Sequence, residues 1–497
     1  MSQLLHIPAL RRGVPYESLD KHTVANHRDG SAMAQISQVN AGIIRKDLAK
    51  ISESRAALKK FSVERLIEMS AKAGELFLNG TLPLGSAHKQ TSQDFITTLS
   101  ATSGLPHVMV KRNMARIHSA LTNMKAILNG LTRGLDLKIL DAGFGEQFGT
   151  QMSFFPTTQC LGLVMPSNSP AVNSLWLPAI ALKTPVIIKP GRDEPWTPWR
   201  LIQAFIAAGC PAEAFGFYPT DHEGAAEILS LSGRALIFGD KSTTAQYANN
   251  PAIEVHGPGY SKILIGDDEI ERWPEFLDVM VSSIADNGGR SCLCASAVVV
   301  PKFADEIAEA LAKKLAAIAP TKPDDENAKL SAFANPKMAE SIDASIEEGL
   351  KTPGAVDVTA KYRAPLTPSL SPSDGERVAS RRERGISRKV IFDGGTFLLP
   401  TIVRCDSFTH PLANREFLFP YASVVQVPQG EMLKQIGPSL VVTAITRDKA
   451  FTEQLLDSPL IERLNLGAIS TMKISWEQPH EGNMFEFLWK RRAIERA

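Results

Sequence analysis

Cys292 lies in the stretch DNGGRSCLCAS, residues 286–296, just after a pair of glycines and just before the β-branched run AVVV at 297–300. A thiol at a Gly-rich turn feeding a buried strand is well placed to be a nucleophile. With no Cβ at Gly288 or Gly289, a substrate can approach the backbone closely. The reacting form is the thiolate, and an ordinary thiol has a pKa of about 8.5, so such a cysteine needs a positive field, a helix N-terminus or a base beside it. The opposing reading is a small buried hydrophobe, which most free cysteines are. Cys292 alone does not decide between them.

The totals narrow the chemistry. In 497 residues, 54 Lys+Arg face 53 Asp+Glu, a formal net charge of +1. That balance gives no electrostatic footprint for nucleic acid or a membrane surface and points to a small-molecule substrate. Five scattered cysteines do not make a disulfide framework, and Cys292 and Cys294 lack the CxxC spacing of a metal or redox motif. The expectation is a reducing, cytoplasmic setting with free thiols and no metal. The richest apolar run, 171–188, is broken by Pro178, Lys183 and Pro185. No stretch approaches the ~20 apolar residues that cross a bilayer.

The elements that must hold these residues read as α/β. Residues 1–30 are polar and without period, and are expected to lie on the surface as an arm. Helical spacing follows from 31 to 78, with Ser62 as an N-cap, then from Ser92 and from 108 to 128, ended by Gly130. From Cys160 the texture changes to short apolar runs, CLGLVMP, TPVIIKP, FGFYP, ALIFG and SKILIG, with helical segments at 171–182, 196–208 and 222–231 between them. Strand and helix in alternation predict a parallel sheet covered by helices. Ligands sit at the carboxyl ends of such strands, so 166–170, 189–192, 239–242 and 287–292 are the places to look for a site. No GxGxxG follows any of these runs. Helical patterns recur at 304–318 and 338–350. Residues 364–387 are rich in Pro, Ser and Arg and read as a disordered insertion. Extended runs at 389–403, 416–427 and 439–446 precede an extended, aromatic tail suited to pairing with a neighbouring subunit.

Taken in order, these segments resemble the aldehyde dehydrogenase superfamily from about Ser153 to Glu486, and more loosely before that. PSNSP (166–170) is similar to the family's PWNFP, and VIIKP (186–190) to its strand ending in Lys-Pro. IFGD (237–240) resembles FTGS, EVHGPG (254–259) resembles ELGG, and GRSC (289–292) resembles GQxC. EFLFP (416–420), preceded by GTFLLPT, resembles ExFGP. Each is weak alone; six in family order are specific for the fold.

The resemblance implies a parallel-sheet, Rossmann-type cofactor domain, a second α/β catalytic domain and a small β oligomerisation arm. The boundaries expected are 1–140 with 156–260, then 261–465, with 141–155 and 466–497 as the arm. It implies NAD- or NADP-dependent oxidation of a small-molecule aldehyde to an acid, in a homodimer or homotetramer. Cys292 would attack the aldehyde carbonyl. Asn168 would donate its amide to the developing oxyanion, and Glu254 would be the general base. Lys189 and Glu416 would hold cofactor ribose, and Pro166, Phe238 and Gly239 would mark turns beside the cofactor. Arg192 falls where NAD-preferring members carry a Glu, and a guanidinium there could pair with a 2′-phosphate. Without the resemblance, Asn168 is a turn residue between two prolines, Lys189 a strand cap, Glu254 a loop carboxylate and Glu416 half of a surface ion pair with Arg415.

The departures matter too. Arg290 stands where the family usually has Gln, Asp240 replaces a small hydroxyl residue, and Thr244 replaces a Gly. Glu254 precedes Cys292 by 38 positions, slightly more than is usual in the family. His256 stands where the family usually has Gly and is given no role. These departures keep two other readings open: an enzyme whose thioester passes to coenzyme A, and a catalytically silent scaffold. The apolar helix at 175–182 is expected to line the substrate tunnel, which hints at an uncharged or aliphatic aldehyde.

Overall fold

The computed structural model describes residues 4–85, 87–363 and 387–495. All but the last residue of the insertion read at 364–387 therefore lies outside the described residues. The chain divides into two compact units, one of Met1–Ser103, Met109–Gly257 and Ser475–Ala497, the other of Gly104–Val108 and Pro258–Ile474.

The first unit is built on a seven-stranded sheet. Its order is Ile253–His256, Gly233–Phe238, Cys160–Val164, Val186–Lys189, Phe215–Phe217, Ala9–Arg11 and Val14–Tyr16. The first five strands are parallel, as the strand–helix alternation predicts. The chain winds one way from Cys160–Val164 through Phe215–Phe217. It then returns to the other side for Gly233–Phe238 and Ile253–His256. A crevice opens at such a reversal, outside the carboxyl ends of the two flanking strands. Those ends lead to Pro166 and Asn168 on one side and to Gly239 and Asp240 on the other. Helices Trp196–Ala207 and His222–Leu231 supply crossovers close to where their periodicity placed them. Ser62 caps Val63–Asn79 as expected, its Oγ accepting the Arg65 N–H at 3.1 Å.

Three sequence expectations are corrected here. Residues 4–30 are not a bare arm. Ala9–Arg11 pairs antiparallel with Phe215–Phe217, and Leu5–Ile7 and Lys21–Ala25 flank Ala32–Ser37 in a separate sheet. Their strands are mostly three to six residues long, too short to show a period of two. The helix expected over 108–128 is two, His107–Thr122 and Met124–Leu131, parted at Asn123. The tail is not wholly extended. Asn483 caps the short helix Met484–Leu488 by accepting the Phe485 N–H. Among the described residues beyond Leu466, Trp489–Arg492 is the one strand, paired with Thr150–Pro156, which in turn pairs with Phe144–Gln147.

The second unit is a second seven-stranded sheet. Its order is Ala355–Asp357, Thr401–Cys405, Tyr421–Gln426, Ala297–Val300, Lys262–Ile265, Ser439–Ile445 and Ile461–Leu466. Only the first strand is antiparallel to its neighbour. Ala297–Val300 and Lys262–Ile265 are buried along their whole length, which is why AVVV and, after Lys262, ILI read as apolar runs rather than alternating ones. Among the described residues no helix is long and apolar enough to cross a membrane.

Candidate active site

Cys292 follows a turn of three successive left-handed residues, Asn287, Gly288 and Gly289, with φ of 54°, 65° and 70°. The two glycines are required. A Cβ on Gly289 would lie 2.2 Å from the Phe419 carbonyl carbon, and one on Gly288 would lie 2.4 Å from Ser331 Oγ. The turn delivers Cys292 part-buried, with its carbonyl accepting the Ser261 hydroxyl at 2.8 Å. Gly259 passes so near that a Cβ there would lie 2.2 Å from the same carbonyl oxygen. The backbone at Cys292 is therefore clamped from two places before any substrate arrives. Cys294 is sealed in, its Sγ 3.5 Å from the Asp286 carbonyl and 3.7 Å from Met472 Sδ. It packs with Leu293, Leu440 and Val441, so of the two neighbouring cysteines Cys292 is the less enclosed, part-buried rather than buried.

The electrostatics hold that thiol protonated at rest. Burial pushes it up to about 12, and the Glu416 carboxylate adds to the effect. Glu416 is itself part-buried and accepts the Tyr260 N–H at 2.9 Å. Burial pushes it up to about 8, against the pull of that bond, of the Gly259 N–H and of Lys262. It is thus not half of a surface pair with Arg415. Lys262 lies fully buried below, donating to the Tyr260 carbonyl at 2.6 Å and to Ser439 Oγ at 3.0 Å. Burial pulls its ammonium down to about 7.

This last shift has a measurable sign. The lysine's ordinary value is 10.5 and its folded value about 7. Between those limits the unfolded chain binds the extra proton, so this group's contribution to stability falls as pH falls through the window. A Lys262→Met chain lacks that loss. Its melting temperature relative to wild type is expected to rise as the pH is lowered from about 10.5 to about 7 and to level off below. A difference independent of pH across thermal melts in that range would show that Lys262 is not held neutral.

The other candidate residues belong to the first unit. Asn168 is part-buried in the bend after the Cys160–Val164 strand, and that bend is pinned on both sides of it. Ser167 Oγ accepts the Asp193 N–H at 3.2 Å, while Ser169 Oγ and the Ala171 N–H reach Asn113 Oδ1 at 3.1 and 3.2 Å. Asn113 is a buried residue of the His107–Thr122 helix. Sequence reasoning found no chemistry in that helical region. The signal available was a lone Asn at an otherwise apolar helical position.

Pro166 and Lys189 are adjacent, with the Met165 N–H donating to the Lys189 carbonyl at 2.9 Å. A Cβ on Gly191 would lie 2.5 Å from the Pro166 carbonyl oxygen. Lys189 is half-buried, and burial followed by the Arg192 cation lowers its proton affinity. Arg192 is exposed and its Nε donates to His22 Nε2 at 3.2 Å. Asp240 caps its own turn. Its Oδ1 accepts the Thr243 N–H at 2.8 Å and the Ser242 hydroxyl at 2.7 Å.

Glu254 is on a strand, not in a loop. It lies in Ile253–His256, in register beside Gly233–Phe238, and the Gly239 N–H donates to the His256 carbonyl at 3.2 Å. Phe238, Gly239 and Glu254 are thereby brought to one corner of the sheet. Glu254 borders a cavity with apolar walls from Leu131, Leu175, Pro178, Trp476 and Met484. Leu175 and Pro178 come from the segment expected to line a substrate tunnel.

The model of the aldehyde dehydrogenase family matches residues 20–367, well over half of the chain. The chain belongs to the aldehyde dehydrogenase family, a family of oxidoreductases acting on aldehydes. The matched residues include every candidate named above except Glu416. Comparison with curated proteins finds no match. Among solved structures, the aldehyde dehydrogenase KauB from Pseudomonas aeruginosa superposes with a TM-score of 0.77 at 14% identity, over 99% of this chain and 97% of that one. An NAD-dependent benzaldehyde dehydrogenase from Corynebacterium glutamicum gives 0.72 at 15% identity, over 99% and 97%. An NADP-dependent enzyme of E. coli gives 0.72 at 14%, over 99% and 98%. At such identities these likenesses speak for the fold.

Proposed function

We propose that the protein oxidises an aldehyde to the carboxylic acid with NAD or NADP as acceptor, through a thioester on Cys292. The observation that carries this reading is the part-buried Cys292, its backbone clamped after a left-handed glycine turn and its thiol near the Glu416 carboxyl.

The fit of a dinucleotide rests on two cations. Arg192 lies close enough to Lys189 to disfavour the lysine's charge, a cost that an anion bound between them would relieve. The Gly239–Thr244 turn offers less, since Asp240 already takes the Thr243 N–H. Lys189, Arg192 and, on the nicotinamide side, Glu416 would hold the cofactor, which supplies the hydride acceptor when bound. Cys292 gives its proton to a base, Glu254 or water, and its sulfur bonds to the aldehyde carbon, whose hydride would leave to the bound cofactor so that a thioester remains on Cys292. The Asn168 amide and the Cys292 N–H donate to the oxyanion that forms. Preorganised donors of this kind lower a barrier by roughly 3–4 kcal/mol each. Glu254 then takes a proton from the water that attacks the thioester carbon, and the carbon–sulfur bond breaks to return Cys292.

Single-turnover mass spectrometry with an aldehyde and NAD or NADP tests the reading. An acyl adduct on Cys292 that water alone clears is expected. An adduct that persists until coenzyme A is added would make the protein an acylating dehydrogenase, and no adduct and no reduced cofactor would make it a silent scaffold.

Arg192 sets the cofactor preference. Its exposed guanidinium can form paired bonds to a 2′-phosphate but has no acceptor for a ribose hydroxyl. NADP is accepted, and Arg192→Glu lowers the NADP/NAD ratio of kcat/KM by roughly tenfold or more, one lost charge-assisted contact. An unchanged ratio sinks the assignment. Copies of the chain pair through the three-stranded sheet that carries the exposed Phe144 and Phe148.

A further inference from the structure

His256 sits in the middle of a buried cluster that the mechanism above does not use. It is only 5% exposed. Two residues beyond Glu254 on one strand, it points to the same face of the sheet as Glu254, and its Nε2 lies 3.1 Å from Glu254 Oε1. Its Nδ1 meets Glu481 Oε2, brought in by the segment before the Met484–Leu488 helix. The ring is held flat. It stacks on Phe238 with centroids 4.4 Å apart and planes 14° apart, and the His480 ring lies 6.4 Å away at 17°. The titratable groups facing it are Glu254 on its own strand and Glu481 and His480 from the tail segment, while the neighbouring strand contributes the Phe238 ring.

The tail segment is fitted to Glu254. A Cβ on Gly482 would lie 2.7 Å from Glu254 Oε2, so the backbone of this segment passes close over that carboxylate. One Glu254 oxygen therefore faces His256, while the residue also borders the cavity with Leu175 and Trp476.

We propose that His256 is a positioning residue and proton relay behind Glu254, with Glu481 fixing its tautomer. The inference rests on the function proposed above. With Glu481 beside Nδ1, the other ring nitrogen, Nε2, is the one that faces Glu254 and can accept a proton that Glu254 has gained. When Glu254 takes a proton from the attacking water, the water oxygen bonds to the thioester carbon. The carbon–sulfur bond breaks with its electron pair going to Cys292, and the proton moves from Glu254 to Nε2. Glu254 is thereby restored as a carboxylate, and the imidazolium lies between Glu254 and Glu481 until its proton passes on to solvent water. His256 touches neither substrate nor cofactor in this scheme, and its effect is confined to deacylation.

The test separates the two half-reactions in the full-length protein. His256→Gly and Glu481→Gln are mixed rapidly with an aliphatic aldehyde and NADP or NAD, and reduced cofactor is followed through the first turnover and into the steady state. The burst is expected to keep its wild-type rate while the steady-state rate falls by roughly tenfold to a hundredfold. Added imidazole should restore the steady state of His256→Gly and not that of Glu481→Gln. Glu481→Gln stands as the second variant should His256→Gly fail to fold. Steady-state rates equal to wild type in both overturn the relay, as does a burst that falls in step with the steady state, which is the pattern of a merely structural role. A wild-type protein with no reduced cofactor overturns the aldehyde chemistry itself, whereas a wild-type burst with unaltered variants overturns the relay alone.

Discussion

Cys292→Ala is expected to yield a folded protein whose aldehyde-dependent reduction of NAD or NADP falls by roughly 10⁴-fold or more, the scale on which nucleophile deletions act. The side chain packs at the edge of a small cluster of Leu293, Leu440 and Met472. Losing one part-buried sulfur costs about 1 kcal/mol, a small share of a domain's stability. The clamp on the Cys292 backbone, from the Ser261 hydroxyl and the close pass of Gly259, does not involve the thiol. Activity should therefore disappear while the thermal melt hardly moves. Cys294 cannot take over, because its sulfur is closed in by the Asp286 carbonyl and Met472. A variant that keeps turnover within tenfold of wild type would remove Cys292 from the mechanism. The thiol's position near 12 adds a companion observation. Alkylation by iodoacetamide is slow at neutral pH in the resting protein, because little thiolate is present.

The Gly288–Gly289 turn was legible because its chemistry is local. Two adjacent glycines before a β-branched run mark a left-handed turn entering a strand, whatever surrounds them. The parallel strands of both sheets were legible for the same reason, since burial on two faces leaves an unbroken apolar run such as VVV or ILI. What stayed hidden depends on partners distant in sequence. Ala9–Arg11 becomes a sheet strand only because Phe217 lies opposite Leu10. Asn113 acquires meaning only when a helix far upstream is laid under Ser169 and Ala171. His256 was discounted because it departs from a family pattern, yet its spacing from Glu254 carried a signal. Two polar residues at i and i+2 on a strand share a face, and the second of them is buried here. Its partner Glu481 lies 225 positions on, in a tail that no local pattern ties to this corner. Glu416 shows the opposite error of the local reading. Adjacent Arg415 suggested a surface pair, whereas the carboxylate turns inward to the Tyr260 N–H.

Glu254→Gln should divide the reaction at the thioester. The amide has nearly the shape of the carboxylate, so it still fits beneath Gly482 and beside His256, and folding should be preserved. It cannot take a proton from water. Acylation of Cys292 and the accompanying cofactor reduction should proceed in a burst of about one equivalent per active site. Deacylation should then slow by roughly 10²–10⁴-fold, the usual contribution of a positioned general base. The acyl adduct on Cys292 should persist long enough for intact-mass detection and should be cleared by an added thiol or by hydroxylamine, which need no help from Glu254. A burst that disappears together with the steady state would instead make Glu254 the group that deprotonates Cys292. That alternative has physical weight, because a thiol held near 12 needs a base before it can attack. Burst rate against pH separates the two roles. If Glu254 serves only the water, the burst keeps its wild-type pH dependence in the Gln variant; if it serves the thiol, the burst in that variant recovers only as the pH rises toward that of the unaided thiol.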